Sequence, residues 1–264
     1  MNMSLTDQIT FVAAVNDREV LAQNLLASPA LSGQHKHQVL IQENFPSAAK
    51  AYNDALQKAE NDLVVLIHQD MLLPAAWLSQ LDRALRQLEE TDPKWGVLGC
   101  FGAKANGEHV GHVFSSGLRV LGKPFEHPMP VQTLDEIVLI VRKNSGLRFD
   151  ENLPHFHFYG TDICLRAAAE GRRSYVISAF CIHNTSQLLR LPKEFYQGYA
   201  YIKRAWKDQL PIHTSCIRVS RFNSDLYRRR LKDIVRPVFG DRRRPVARVS
   251  DPKSILETLE FGKS

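Results

Sequence analysis

Residues 61–74 read N-D-L-V-V-L-I-H-Q-D-M-L-L-P, and this stretch decides the fold of the chain. The apolar run Leu63–Ile67 is short and unbroken, as in a strand that is buried on both faces of a parallel sheet. It stops at the polar tripeptide His68-Gln69-Asp70. Open α/β sheets bind their ligands beyond the carboxyl ends of the strands. The tripeptide therefore predicts a site for a divalent metal and a diphosphate, with a plain polar turn as the alternative.

Strands and helices alternate on both sides of this central strand. Residues 9–15 (I-T-F-V-A-A-V) and Gln38–Gln42 predict two further strands. Asp17 and Ser47 are the expected N-caps of the helices that follow them. Pro74 is expected to open the next helix. The alternation predicts an α/β fold in which helices flank a mixed, mainly parallel, Rossmann-like sheet.

Size and composition limit the classes of protein that are compatible with the chain. Its 264 residues support one large domain, or one domain with an appendage, and 44% of them are hydrophobic. No apolar run approaches the ~20 residues that cross a bilayer, and residues 1–10 do not resemble a secretory signal. The four cysteines are widely spaced and form no C-x-x-C pair. Free thiols in a reducing cytoplasm are therefore expected.

The positive charge is concentrated near the carboxyl end. Residues 216–264 contain 13 basic and 6 acidic side chains, whereas the preceding residues contain 21 and 22. This contrast predicts a domain over residues 1–215 and a basic extension over 216–264. Arginine clusters at 228–230 and 242–244 suggest an anionic partner, such as the inner face of a membrane, or simply a solvated surface. Nucleic acid is disfavoured, because the body is neutral and carries no recognition motif.

Four pieces of the chain should converge at the carboxyl edge of such a sheet. They are Asn16-Asp17, Glu43-Asn44, His68-Gln69-Asp70, and Asp162 together with His183. Asp70 is a hard oxygen ligand of the kind that Mg²⁺ or Mn²⁺ binds. His183 suits Mn²⁺ as a second ligand, with a core histidine as the alternative.

Several motifs together resemble one enzyme family. The run from S-A-A-K-A-Y-N-D-A-L at 47–56 to V-V-L-I-H-Q-D-M-L-L-P-A-A-W at 64–77 is similar to the nucleotide-sugar-binding half of GT-A glycosyltransferases. Within these it is most similar to a bacterial, family-2-like branch that is named for a streptomycin-biosynthesis protein. Further matches are K-W-G-V-L-G at 94–99, T-L-D-E at 133–136, F-H-F-Y-G-T-D at 156–162 and H-N at 183–184. The resemblance covers residues 9–211.

The chain departs from the family pattern at two acidic motifs. The usual Asp-x-Asp appears as His68-Gln69-Asp70, and an acidic pair before the catalytic helix appears as Thr161-Asp162. Each motif therefore keeps one carboxylate. These departures motivate a rival hypothesis, a nucleotide- or sugar-binding module of the same fold that has lost turnover.

The resemblance implies an activity and a set of site residues. The activity is transfer of a sugar from a nucleotide-sugar donor to an acceptor hydroxyl, inverting by direct displacement, with Mn²⁺ or Mg²⁺ bound by Asp70 and His183. The acceptor can be a glycan, a lipid-linked molecule or a small molecule. His68 is expected to contact ribose or phosphate. The implied nucleotide-sugar-binding residues are Asn16, Glu43, Tyr52, Asn53, His68, Gln69 and Asp70.

The acceptor side is predicted in and after the loop 152–160. Asp162 is the expected catalytic base, in the first turn of a helix capped by Thr161, and a capping residue without chemistry is the alternative. His157 and Tyr159 are expected to face the acceptor. If the loop is extended, the imidazoles of His155 and His157 face one side and the rings of the neighbouring phenylalanines face the other. Those rings either pack on a sugar or anchor the loop.

Overall fold

The computed structural model describes residues 4–32, 37–115, 119–186, 190–238 and 246–261. Within these ranges the strands are β1 Thr10–Ala14, β2 Gln38–Gln42, β3 Leu63–Ile67, β4 Met71–Leu72, β5 Leu98–Gly99, β6 Phe101–Ala103, β7 His109–Ser115, β8 Arg119–Gly122, β9 Met129–Val131, β10 Thr133–Leu134, β11 Val138–Arg142, β12 Ser174–Val176, β13 Cys181–His183, β14 Ile212–His213 and β15 Arg218–Val219. The α-helices are α1 Arg18–Gln23, α2 Ala48–Lys58, α3 Trp77–Thr91, α4 Tyr159–Ala169, α5 Lys193–Ala205, α6 Ser224–Val238 and α7 Lys253–Phe261. None of the helices in these ranges has the length and apolar character that a bilayer span requires.

The central sheet has the strand order β2-β1-β3-β11-β5-β12-β9. Strand β1 runs parallel to β2 and β3, and β5 runs parallel to β12, whereas β11 and β9 run antiparallel to their neighbours. The mixed sheet that was predicted is confirmed. The predicted N-caps are also present, because the Asp17 side chain accepts hydrogen bonds at the start of α1 and the Ser47 side chain does so at the start of α2.

Strand β3 is buried on both faces because helices cover both sides of the sheet. All five of its residues are buried. Side chains alternate along a strand, so Val65 points into the layer beneath α3 and Leu66 points into the layer beneath α2. This double burial explains why the sequence of β3 is apolar throughout.

A second sheet, ordered β10-β6-β7-β13-β4 with β8 beside β7, adjoins the carboxyl end of β3. Its strand β4 follows β3 directly and pairs antiparallel with β13, so that His183 lies opposite Met71. This pairing corrects the prediction that Pro74 opens a helix. Helix α3 begins only at Trp77, because residues 71–72 form β4 and residues 73–76 connect that strand to the helix.

The described part of the basic extension is attached to the domain. The β14–β15 hairpin spans the predicted boundary between residues 215 and 216. Leu226 of α6 packs against the buried cluster on the α2 side, and Ile255 of α7 packs against Leu72 and Ile182. The arginine cluster at 242–244 lies outside the described residues.

Candidate functional site

The Gln69 side chain ties the carboxyl ends of β1 and β3 together. Its Oε1 accepts hydrogen bonds from the backbone N–H groups of Asn16 and Asp17, each at 3.1 Å. Its Nε2 donates to Asn16 Oδ1 at 2.6 Å. Parallel strands end at the same edge of a sheet, and here a side-chain amide fixes the spacing of two of them. The tripeptide after β3 therefore helps to hold the carboxyl ends of β1 and β3 in fixed positions at this edge of the sheet.

A cavity of about 470 Å³ opens at this edge. Six of the predicted site residues line it, namely Asn16, Tyr52, His68, Gln69, Asp70 and Tyr159. The sequence reasoning did not assign Phe45, which also lines it. Both polar side chains and aromatic rings line the cavity, which is typical of small-molecule sites. This cavity is called the central cavity below.

Glu43 and Asn53 are placed outside the central cavity. The Glu43 carboxylate pairs with the exposed guanidinium of Arg18, with 2.6 Å between Oε2 and Nη2. The Asn53 amide is buried and bonds to the backbone N–H and carbonyl of Phe149. Asn53 therefore holds the loop that precedes α4, and its predicted contact with a nucleotide has no support in this arrangement.

His68, Asp70 and His183 form a cluster suited to a metal ion. One donor atom from each residue lies within 4.8 Å of the others. The distance from His183 Nε2 to Asp70 Oδ1 is 3.4 Å. His68 belongs to this cluster, so its imidazole is also placed where it could hold a metal ion. Its expected contact with ribose or phosphate stays a prediction. The β4–β13 pairing is what brings His183 to the end of β3.

The protonation states of the cluster suit metal binding. Burial alone would raise the pKa of Asp70, but the hydrogen bond and charge of His183, with the charges of His68 and Arg248, lower that pKa far below its usual range. Burial lowers the pKa of His68, as does the charge of His183. The site therefore offers an ionised carboxylate and a neutral imidazole, the forms in which these groups bind metals.

A hydrogen-bond chain holds the imidazole of His68 in place. The Tyr159 hydroxyl donates to the backbone carbonyl of Glu136 at 3.1 Å. The same hydroxyl oxygen lies 2.9 Å from His68 Nε2. The hydroxyl therefore fixes the position of the His68 ring and occupies its Nε2. Tyr159 thus positions this imidazole, in addition to lining the central cavity.

Arg248 of the basic extension reaches the same cluster. Its Nη2 lies 3.2 Å from Asp70 Oδ2, and its Nε donates to the Asn184 carbonyl at 2.9 Å. The buried Asn184 side chain holds the neighbouring Val249 backbone through two hydrogen bonds of 2.8 Å. Sequence reasoning missed Arg248 because no motif distinguishes it from the other arginines of the extension.

Asp162 is enclosed in a network of buried hydrogen bonds. Its carboxylate is 1% exposed, with Arg166 Nε at 2.8 Å from Oδ2 and Trp206 Nε1 at 2.8 Å from Oδ1. Burial raises its pKa against the effect of these two bonds. Helix α4 begins at Tyr159 after the N-cap Phe158, so Thr161 is not the cap. The expected orientation of Asp162 toward an acceptor is therefore corrected, because Oδ2 pairs with Arg166 on the same helix and Oδ1 accepts from Trp206 at the end of α5.

This network predicts a stability role for Asp162. Replacing Asp162 with Asn breaks a buried charge-assisted pair with Arg166, so the free energy of unfolding should fall by about 1–3 kcal/mol. Each kcal/mol corresponds to a decrease in Tm of about 2–4 °C for a chain of this size. Thermal unfolding of the Asp162→Asn variant measures the change. The exposed Asp208→Asn is the control and should stay within about 0.5 kcal/mol of the native chain. An unchanged Tm in Asp162→Asn would contradict the structural role.

The aromatic and histidine-rich loop does not have the expected alternation. His155 and Phe158 adopt positive φ values of 62° and 66°, which turn the chain twice. Phe156 is therefore 41% exposed and lines the central cavity. Phe158 is buried instead, with its ring centroid 4.7 Å from that of Phe195. One phenylalanine thus serves the site, and the other anchors the loop.

A smaller cavity, of about 140 Å³, is lined by the predicted acceptor-side residue His157. Glu136 and Asp135 also line it. This acceptor-side cavity is otherwise mainly apolar, with Phe158 and Phe195 among its lining residues. Burial lowers the pKa of His157, which favours a neutral imidazole.

Glu136 lies at the start of α4, where the carboxylate faces backbone N–H groups. Its Oε1 accepts from the Gly160 N–H at 3.4 Å. A Cβ at Gly160 would lie 3.0 Å from Glu136 Cγ, so the glycine permits this approach. Burial and the charge of Asp135 raise the pKa of Glu136 to about 8. A carboxyl group with a pKa near neutrality can exchange protons during catalysis. Glu136 ends the T-L-D-E motif at 133–136, but the sequence alone predicts no role for it.

Comparison with known proteins gives the family of the chain. The model of a glycosyltransferase-like family matches residues 10–199, which is most of the chain. The chain belongs to this glycosyltransferase-like family. The matched range includes His68, Asp70 and His183, the cavity-lining Tyr52 and Tyr159, and Glu136, whereas Arg248 lies beyond it.

One curated relative and several solved structures show the extent of similarity. The relative is a Fuscovulum blasticum protein described as ATP synthase subunits region ORF 6, which is 29% identical over 184 residues, or 64% of this chain and 70% of that protein. Staphylococcus aureus TarS 1–349 in complex with UDP is 16% identical, with a TM-score of 0.47 and coverage of 76% and 68%. The Pyrobaculum calidifontis mannosyltransferase PcManGT in complex with GDP-Man and Mn²⁺ is 15% identical, with a TM-score of 0.45 and coverage of 75% and 60%. The chain spans 39% of the longer TarS structure.

Proposed function

We propose that this chain transfers a sugar from a nucleotide-sugar donor to an acceptor hydroxyl, with the donor in the central cavity. The observation that carries the proposal is the cluster of His68, Asp70 and His183, two members of which, His68 and Asp70, line that cavity. It lies at the carboxyl end of β3, where α/β sheets bind ligands. Membership of the glycosyltransferase-like family supports the reaction class. The motifs also support placement in the streptomycin-biosynthesis-type branch.

The donor set favours Mn²⁺ over Mg²⁺. Mg²⁺ prefers oxygen ligands and keeps most of its waters, whereas two imidazoles and a carboxylate suit a softer ion. When bound, such an ion offsets the negative charge that develops on a leaving nucleoside diphosphate. His68, Asp70 and His183 would hold the ion, with Tyr159 orienting His68.

The remaining groups of the central cavity suit a nucleoside. Phe45 and Phe156 provide flat apolar surfaces on which a base can stack. Asn16 and Gln69 present amide groups at the ends of β1 and β3. We assign the nucleoside to the aromatic part of the cavity and the diphosphate to the metal cluster. The sugar is then directed toward Tyr159 and the acceptor-side cavity.

Glu136 is the base in this proposal. Its carboxylate takes the proton from the acceptor hydroxyl as that oxygen bonds to the anomeric carbon. The bond from this carbon to the diphosphate oxygen breaks in the same displacement, which inverts the configuration. The N–H groups at the start of α4 hold the carboxylate in place. His157 lines the same cavity and is available to hydrogen-bond an acceptor.

Arg248 is proposed to exchange partners when the donor binds. In the free protein its guanidinium pairs with Asp70. A diphosphate offers this cation a stronger partner, and the ion at Asp70 repels it. Replacing Arg248 with Gln should therefore weaken nucleoside-diphosphate binding about 10–100-fold, the equivalent of one charged hydrogen bond.

The same substitution should affect metal binding in the opposite direction. Without a competing guanidinium, Asp70 should bind Mn²⁺ at least as tightly as in the native chain. Titration calorimetry with Mn²⁺ alone and then with nucleoside diphosphate measures both effects. Lys253→Gln, an exposed change nearby, is the control. A loss of affinity for both ligands would argue that Arg248 only stabilises the fold.

Release of nucleoside diphosphate from a panel of nucleotide sugars tests the proposed function. UDP- and GDP-linked sugars are assayed with Mn²⁺, first with water and then with pooled acceptor alcohols. We expect Mn²⁺-dependent release with at least one donor, and a faster rate with one acceptor pool. Tight donor binding without release in any pool would instead favour the binding-module hypothesis, which the missing acidic residues motivate.

A further inference from the structure

Helix α6 presents an apolar row whose exposure falls from Tyr227 and Leu231 to Val235, which is 36% exposed. Tyr227, Leu231 and Val235 follow one another at intervals of four residues and so share one face of the helix. Tyr227 is 61% exposed and Leu231 is 62% exposed. Phe222, in the turn just before the helix, is 83% exposed. Large apolar side chains that are this exposed and adjacent mark an interaction surface.

The opposite side of α6 is attached to the domain, which fixes the direction in which the row points. Leu226 packs against the core. Asn223 Oδ1 accepts from Lys203 Nζ at 2.7 Å, and Asp225 Oδ2 accepts from Arg218 Nε at 2.7 Å. At 100° per residue, the Tyr227 row lies about 100–180° around the helix from Leu226. The row therefore faces away from the body.

Cations flank the apolar row. Arg228 and Lys232 are exposed and lie one residue beyond Tyr227 and Leu231, so they form an adjacent row on the same outward half of the helix. Arg221 is exposed beside Phe222. The Arg228 guanidinium is 4.0 Å from Asp225 and 78% exposed, which leaves it accessible to other anions. An exposed apolar row bordered by cations is the pattern of helices that lie in the interface of an anionic membrane.

We propose that α6 and Phe222 dock this protein on the surface of an anionic lipid bilayer. The apolar row enters the headgroup region, while Arg221, Arg228 and Lys232 contact lipid phosphates. Charge complementarity selects the bilayer over a second copy of the chain, because two such faces would bring their cations together. A partner that binds only through charge, such as nucleic acid, would leave the apolar side chains of the row exposed to water. This proposal is independent of the glycosyl-transfer proposal.

Vesicle flotation of the full chain tests the proposal. The probes are neutral phosphatidylcholine vesicles and vesicles that also contain phosphatidylserine. We expect binding to the anionic vesicles that weakens as salt is raised, and little binding to the neutral ones. The apolar variant Phe222→Ser/Tyr227→Ser/Leu231→Ser keeps every charge and should lower partitioning at least ~10-fold. The charge variant Arg228→Gln/Lys232→Gln should also bind more weakly.

Matched controls separate this surface from general effects. Leu26→Ser changes another exposed apolar residue, and Lys50→Gln/Lys94→Gln removes two exposed cations elsewhere. Both controls should bind vesicles like the native chain.

The proposal is overturned if the native chain does not bind anionic vesicles, or if the apolar variant binds them as strongly as the native chain. Equal binding of the native chain and the apolar variant to duplex DNA, without vesicle binding, would identify nucleic acid instead. A dimer abolished by the apolar variant, again without vesicle binding, would identify a second copy.

Discussion

Replacing Glu136 with Gln is expected to lower the rate of sugar transfer by about 10²–10⁴-fold, the usual effect of losing a general base. Glutamine keeps an oxygen that can accept the Gly160 N–H, so the start of α4 should remain intact. The affinity for nucleoside diphosphate should not change, because Glu136 lines the acceptor-side cavity rather than the central one. The decrease should therefore appear in kcat, measured at saturating donor.

The pH dependence of the native chain gives an independent check on Glu136. The base must be ionised, and the pKa of Glu136 is raised to about 8. The carboxylate fraction therefore grows as pH rises through that value, and kcat/KM should rise with it. The Glu136→Asp variant keeps a carboxylate and should therefore be faster than Glu136→Gln. In Glu136→Gln the rise of kcat/KM with pH should be absent. Asp162→Asn should retain transfer per folded molecule. A fully active Glu136→Gln beside an inactive but folded Asp162→Asn would restore Asp162 as the base.

Replacing Asp70 with Asn is expected to lower Mn²⁺ affinity at least ~100-fold, because the site loses its anionic ligand and keeps two neutral imidazoles. Nucleoside-diphosphate binding in the presence of Mn²⁺ should weaken in parallel. Electron paramagnetic resonance of free Mn²⁺ reports the first effect directly, without any assay of transfer. Circular dichroism confirms that the variant is folded.

The matched control for Asp70 is Asp54→Asn. Asp54 also pairs with a cation, Lys58, but lies on α2, away from the central cavity. Its substitution should leave Mn²⁺ binding at the native level. If Asp70→Asn binds Mn²⁺ as tightly as the native chain, the metal is not held by the cluster at the end of β3.

Local signals explain which parts of the fold were predictable. Strand β3 could be located from its apolar run, since burial on both faces requires such a run. The N-caps Asp17 and Ser47 were predictable because capping depends on a few adjacent residues. The start of α3 was not, because β4 exists only through its pairing with β13, more than one hundred residues away in sequence.

In the site, too, contacts between residues close in sequence were predictable, and contacts between residues far apart in sequence were not. Asp162 and Arg166 are four residues apart, and this spacing could have indicated the ion pair that encloses the carboxylate. Glu136 faces the start of α4 only because the chain turns at Phe158, which no short pattern predicts. Arg248 reaches Asp70 through backbone contacts to Asn184. That docking depends on the folded surface, so the sequence alone could not identify it.

The central claim is that the cluster of His68, Asp70 and His183 binds a metal-chelated nucleoside diphosphate. Titration calorimetry with UDP and GDP, each with Mn²⁺ and then with EDTA, tests this most directly. We predict saturable binding of at least one nucleotide with Mn²⁺ and at least ~10-fold weaker binding with EDTA. Binding of equal strength with Mn²⁺ and with EDTA, or no binding of either nucleotide, would contradict the claim.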